Sequence, residues 1–120
     1  MGLGDRHSST EFDVFVREHG CPVFGTRDFG LNRDDALSAL AIAIEIGIPI
    51  LGGDFYTIER GRMRPTHISW YADRFDCERA IDYANRSWAE AKKAILDFPW
   101  SDYSTALVAL VRADSPPVSE

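Results

Sequence analysis

A run of strand-forming residues, Ile50-Leu51-Gly52-Gly53-Asp54-Phe55-Tyr56-Thr57-Ile58, carries two adjacent glycines in its middle. Glycine inside a strand loses more entropy than other residues and packs nothing. It persists there where a bulge, a sharp bend or the close approach of another chain requires it. Gly52 and Gly53 are therefore read as structural. Asp54 beside them either hydrogen-bonds backbone amides of the bend or faces outward as a contact. Any fold for this chain has to place that weak strand where its neighbours hold it.

The flanking segments supply those neighbours. Asn32 is a good N-cap, and Asp34 and Asp35 sit in the first turn, where the helix dipole favours acids. Gly47 offers a left-handed stop with Pro49 just beyond it, so the sequence predicts a helix over 33–46, apolar on almost every side and largely buried. Strand character follows over 48–59, a turn at Arg60-Gly61-Arg62, and a second strand over 63–72. Pro65 is tolerated there only on an edge or at a bulge. A two-residue loop at Arg60 and Gly61 would set Asp54 opposite His67 and Leu51 opposite Trp70, although Arg-Gly is not the favoured dipeptide.

A second helix is predicted over 76–98, with Asp76 as cap and Glu78 in its first turn. Ile81, Ala84, Trp88, Ala91 and Ile95 form one apolar stripe, and Asp82 and Arg86 a favourable pair one turn apart. Pro99 ends it. Ala106-Leu107-Val108-Ala109-Leu110-Val111 reads as a buried third strand, with a helix as the alternative. Near the start, Ser9 or Thr10 caps a short helix over 11–18. Residues 1–10 are expected to fray, and 20–32 to form a loop rich in Gly and Pro. The fold class is α+β: a small, mostly antiparallel sheet, made of the hairpin plus a C-terminal strand, packed against two main helices. One domain spans 1–113, and the Pro-rich residues 114–120 form a disordered tail.

Composition narrows function. The chain has 120 residues, with 13 Lys and Arg against 19 Asp and Glu, a net charge of −6. That balance argues against nucleic acid or an anionic membrane surface and allows a basic partner. The apolar stretch over 36–51 is broken by Glu45 and Pro49 and is too short to span a membrane. No secretory h-region follows Met1, so the cytosol is the expected compartment, with Cys21 and Cys77 reduced. Both thiols are read as small apolar fillers.

Chemistry-bearing patterns are sparse. There is no nucleophile elbow, and His19 with Cys21 is too few ligands for a metal, so no metal or cofactor is expected. Asp73, Asp76 and Glu78 lack the spacing of a calcium loop and read as a helix entry. The Gly52-Gly53-Asp54 triplet also occurs in the hairpin of diguanylate cyclases. That family continues with Glu-Phe where Phe55 and Tyr56 stand here, and the second metal-holding acid is missing. An acid–base pair of Asp54 and His67 on adjacent strands is one enzymatic alternative. An interaction domain that self-associates through an exposed strand edge is another reading.

The order of motifs is itself informative. A buried helix ends in Gly47-Ile48-Pro49-Ile50. Leu51-Gly52-Gly53-Asp54-Phe55-Tyr56 follows, then a hairpin with Trp70-Tyr71 and Asp73, then a long helix with an aromatic and several alanines. Over 32–111 this resembles the immunity protein 40 family of bacterial polymorphic toxin systems, with residues 51–56 the most specific part. The resemblance implies a small cytosolic protein that binds and blocks a cognate toxin domain. It implies no catalytic residues and leaves oligomeric state open. The net charge favours a basic toxin domain. Candidate partner-binding residues are Asp54, Tyr56, Glu59, Trp70, Tyr71, Asp73, Asp76 and Glu78, with Gly52 and Gly53 shaping the motif.

Overall fold

A computed structural model describes residues 4–114, with side chains from residue 11. The elements in chain order are α1 (Gly4–His19), β1 (Cys21–Pro22), β2 (Phe29–Gly30), α2 (Arg33–Ile46), β3 (Ile50–Glu59), β4 (Arg62–Tyr71), α3 (Ala80–Asp97) and β5 (Ala106–Arg112). A single turn of 3₁₀ helix, Trp100–Asp102, separates α3 from β5. The main sheet runs in the order β4-β3-β5, all antiparallel, and β1 pairs with β2 in a small second sheet. The α+β class holds.

Local signals decide α2 as the sequence predicts. The Asn32 carboxamide accepts from the Asp35 amide at 2.8 Å, and Gly47 sits at φ 79, a left-handed conformation that closes the helix. Burial of α2 is narrower than expected. Ala36, Ala39, Leu40 and Ala43 form one buried stripe, while Ala41 and Ile44 face away from α1, α3 and β5, the elements that α2 packs against. The predicted C-terminal strand is β5, and it pairs with β3 rather than closing on the hairpin's outer edge.

The hairpin turn has the expected two-residue loop. Arg60 at φ 52 and Gly61 at φ 76 join Glu59 to its partner Arg62. Two positive φ values in a two-residue loop make a type I′ turn, and a non-glycine there costs about 1 kcal/mol. The register beyond it differs from expectation. Asp54 pairs with Ser69 and Gly53 with Trp70, so neither Asp54–His67 nor Leu51–Trp70 is a cross-strand pair. The cause is a bulge in which residues 66–68 stand opposite Phe55. His67 adopts φ 68 at its apex. The Thr66 hydroxyl holds the kink, donating to the Phe55 carbonyl at 2.9 Å and accepting from the Ile68 amide at 3.1 Å. Pro65 lies beside this bulge on the edge strand, where a missing N–H is harmless.

Three helix expectations change. α1 begins at Gly4, so Ser9 and Thr10 lie inside it rather than capping it, and residues 4–10 are helical. α3 begins at Ala80 with Arg79 as its cap residue, leaving Asp76 and Glu78 in the preceding loop. Arg86 pairs with Glu78 and Glu90, and Asp82 with Arg79, instead of with each other. The loop predicted over 20–32 contains β1 and β2, and Leu31 bridges to Val108 beside β5. Residues 1–3 and the predicted tail beyond residue 114 lie outside the described residues.

The core lies between the sheet and the helices. Leu31, Ile48, Ile50, Phe55, Trp88, Ile95, Phe98 and Val108 are among its large members, and the stripe residues Ala84 and Ala91 let α3 approach closely. Ile81, the first residue of the predicted stripe, is exposed. Phe55 is 2% exposed and stacks on Phe98 with centroids 4.0 Å apart. Removing a ring of that size from water stabilises by about 2–3 kcal/mol. Two buried polar side chains on α3 are tied to backbone. Trp88 Nε1 donates to the Ile48 carbonyl at 2.8 Å. The Ser87 hydroxyl accepts from the Ile50 amide at 3.2 Å and donates to the Ala84 carbonyl at 2.8 Å. Both thiols are exposed, which corrects their reading as apolar fillers. Among the described residues no helix is long and apolar enough to cross a membrane.

Candidate interaction surface

The Gly-Gly pair is where the hairpin is tightest. A Cβ on Gly52 would stand 2.3 Å from the Trp70 carbonyl oxygen, a backbone atom. A Cβ on Gly53 would stand 2.3 Å from Cη2 of the Trp70 indole and 3.1 Å from the Ala109 carbonyl oxygen. The indole lies across the missing side chain of Gly53, its cross-strand partner, and rests against Phe55 with centroids 5.7 Å apart. The register also shifts against β5 between Ile50 and Gly52. Close approach and bulging thus occur together at this motif. Trp70 points into the core side of the sheet and is half-buried, and its Nε1–H is buried with no hydrogen-bond partner among the described residues.

Alternation along β3 puts Asp54 and Tyr56 on the opposite face. Asp54, Tyr56, His67 and Ser69 line a shallow hollow of about 350 Å³ together with Phe55, Pro65 and Ile68. Asp54 and His67 therefore share one depression without being cross-strand partners. Tyr71, opposite Gly52, is 70% exposed. The Tyr56 phenol is pushed above its ordinary pKa by burial first, then by the charges of Asp54 and Asp28. Asp28 belongs to the β1–β2 connection, so that connection shares the electrostatic setting of this face.

The remaining acids occupy different settings. Glu59 sits at the hairpin tip, 3.6 Å from the Arg64 guanidinium, in a hollow it shares with Arg60, Arg62 and Arg64. The tip is basic, contrary to the acidic hairpin edge that the net charge suggested. At the other end of β4, the loop after Tyr71 is braced from within. Both Glu78 carboxylate oxygens accept from Arg86 at 2.9 Å, and one also accepts from the Phe75 amide at 3.0 Å. These hydrogen bonds pull the Glu78 carboxyl down from 4.5 to about 2. Arg86 reaches the Asp73 carbonyl and Glu90 as well, and lies 3.9 Å over the Phe75 ring. Asp73 and Asp76 are exposed on this loop.

The candidates therefore separate into four settings. Asp54, Tyr56 and Tyr71 lie on the outer sheet face, Glu59 at the basic tip, and Asp73, Asp76 and Glu78 on the braced loop. Trp70 lies on the inner side. Sequence reasoning missed Phe24, Asp28 and the arginine tip. Phe24 was hidden in a segment read only as loop. The alternation of Arg60, Arg62 and Arg64 around a turn was the available signal for the tip.

A family model described as Immunity protein 40 matches residues 22–112. The match starts ten residues ahead of the motif-based resemblance over 32–111, and so takes in the β1–β2 hairpin. No curated protein and no solved structure matches the chain.

Proposed function

The chain belongs to the immunity protein 40 family, and we propose that it binds a cognate secreted toxin domain in the bacterial cytosol and neutralises it by forming a tight complex. The observation that carries this reading is the family match over 22–112, which covers both sheets and the two helices packed on them. The outer face of the sheet supports it with aromatic and acidic groups close together: Asp54, Tyr56 and Tyr71. Amphipathic aromatics beside charge are common anchors in protein interfaces. An acidic face also suits a toxin domain that acts on nucleic acid through a basic cleft.

Two other readings are less well supported. Asp54 and His67 line one hollow, but it is shallow and open rather than a closed apolar pocket, which gives an acid–base pair little support. Self-association through the β4 edge is opposed by Pro65, the bulge and the arginines, each of which blunts an edge against pairing.

The test is co-expression. The toxin domain encoded immediately upstream should kill cells alone and spare them when this chain is present. Charge reversal at Asp54 and Asp73 should slow association and flatten its dependence on salt. Cell death in the presence of the folded chain would refute the proposal.

A further inference from the structure

Phe24 has the highest exposure of the large apolar side chains among the described residues, at 98%. It stands on a firmly made turn. Val23 beneath it is buried, and its amide donates to the Asp28 carbonyl at 3.0 Å. The Thr26 amide and hydroxyl both donate to the Val23 carbonyl, at 3.1 and 3.0 Å, and the Asp28 amide donates to the Thr26 hydroxyl at 3.0 Å. Gly25 at φ 84 supplies the reversal, and a Cβ there would meet nothing within 4 Å. The turn needs Gly25 and Thr26, but nothing in it needs an aromatic at position 24.

A ring held out in water contributes nothing to this fold, while an aromatic buried at an interface is among the largest single sources of affinity. The base of the same turn carries Arg27 and Asp28, which line a hollow together with Asp13 and Arg17 of α1 and Arg112 of β5. The apolar tip thus stands on a base of mixed charge.

Resting on the immunity reading above, we propose that Phe24 is the apolar anchor of the toxin contact, entering an apolar pocket on the toxin domain. This places the contact on the β1–β2 turn.

The probe is the purified toxin domain encoded immediately upstream. Wild-type chain is measured first, and its failure to bind would overturn the immunity reading itself. Given wild-type binding, Phe24→Ala should weaken affinity by about tenfold or more, mainly through faster dissociation. Its urea midpoint should match wild type, because the side chain touches little in the free chain. Ile44→Ala, an exposed apolar change on α2, should leave affinity unchanged. Loss of affinity below tenfold for folded Phe24→Ala would overturn the inference while leaving the immunity reading standing. So would a dimer of this chain that Phe24→Ala dissolves without affecting toxin binding.

Discussion

Replacing either motif glycine by alanine tests the account of the Gly-Gly pair, because the two meet different kinds of atom. At Gly53 the new methyl carbon would lie 2.3 Å from Cη2 and 2.5 Å from Cζ3 of the Trp70 indole. A side chain can move, at the expense of its packing on Phe55. Overpacking of this sort costs about 1–3 kcal/mol, against which alanine returns about 0.5–1 kcal/mol of chain entropy. Gly53→Ala should therefore destabilise by about 1 kcal/mol net. At Gly52 the obstacle is the Trp70 carbonyl oxygen at 2.3 Å, with the Tyr71 Cα at 3.3 Å. Backbone cannot rotate aside, so the strands must separate, and Gly52→Ala should cost about 3 kcal/mol or more.

Trp70→Ala distinguishes the two. It clears the space over Gly53 but leaves the carbonyl at Gly52 in place. In that background Gly53→Ala should become nearly neutral, since only the 3.1 Å approach to the Ala109 carbonyl remains. The coupling of positions 53 and 70 should then be about 1 kcal/mol, and that of positions 52 and 70 close to zero. Urea unfolding of the singles and doubles measures both cycles. Gly53→Ala staying costly without the indole, or Gly52→Ala being rescued by its loss, would refute the reasoning.

Further measurements address the interior and the braced loop. Ser87→Ala should cost about 1–3 kcal/mol in urea unfolding, because the Ile50 amide loses its acceptor in a buried site. Trp88→Phe should cost about 1–3 kcal/mol by leaving the Ile48 carbonyl unpaired. Trp70→Phe removes an N–H that has no partner, so thermal melting should place it well above Trp88→Phe. The Glu78 carboxyl titrates near 2 in the folded chain, below its ordinary 4.5, so its stabilising contribution is complete above 4.5 and fades as pH falls through about 2. Melting temperature over that window should fall more steeply for wild type than for Glu78→Gln.

Elements set by neighbours in the chain were legible in the sequence. Asn32 and Gly47 close α2 with their own side chain and backbone, and the alternation of 3 and 4 residues in α3 marks its buried side. The two-residue turn was legible from Gly61. What failed depended on contacts between distant residues. Asp76 has the chemistry of a cap, yet Glu78 is engaged by Arg86 nearly two turns into α3, and the helix begins only beyond the loop that this ion pair braces. The 66–68 bulge has no glycine to announce it. Its hydrogen bond from Thr66 to Phe55 exists only once the strands have paired, so no local pattern reports it.

The same distinction governs the acidic surplus. Asp13, Glu59, Glu78, Asp82, Glu90 and Asp97 each pair with a cation, so their charges are largely offset within the chain. Net charge then says little about which surface a basic partner would meet, since fields from paired groups cancel within about a Debye length of 8–10 Å. Along the β3–β4 hairpin the sign changes, from the arginines at the tip to Asp54 midway along β3. A cationic partner approaching the tip would be repelled there. Around Asp28 the charges are mixed, since it lines a hollow with Arg17, Arg27 and Arg112, so the surface alternates in sign in a way that the total of −6 does not convey.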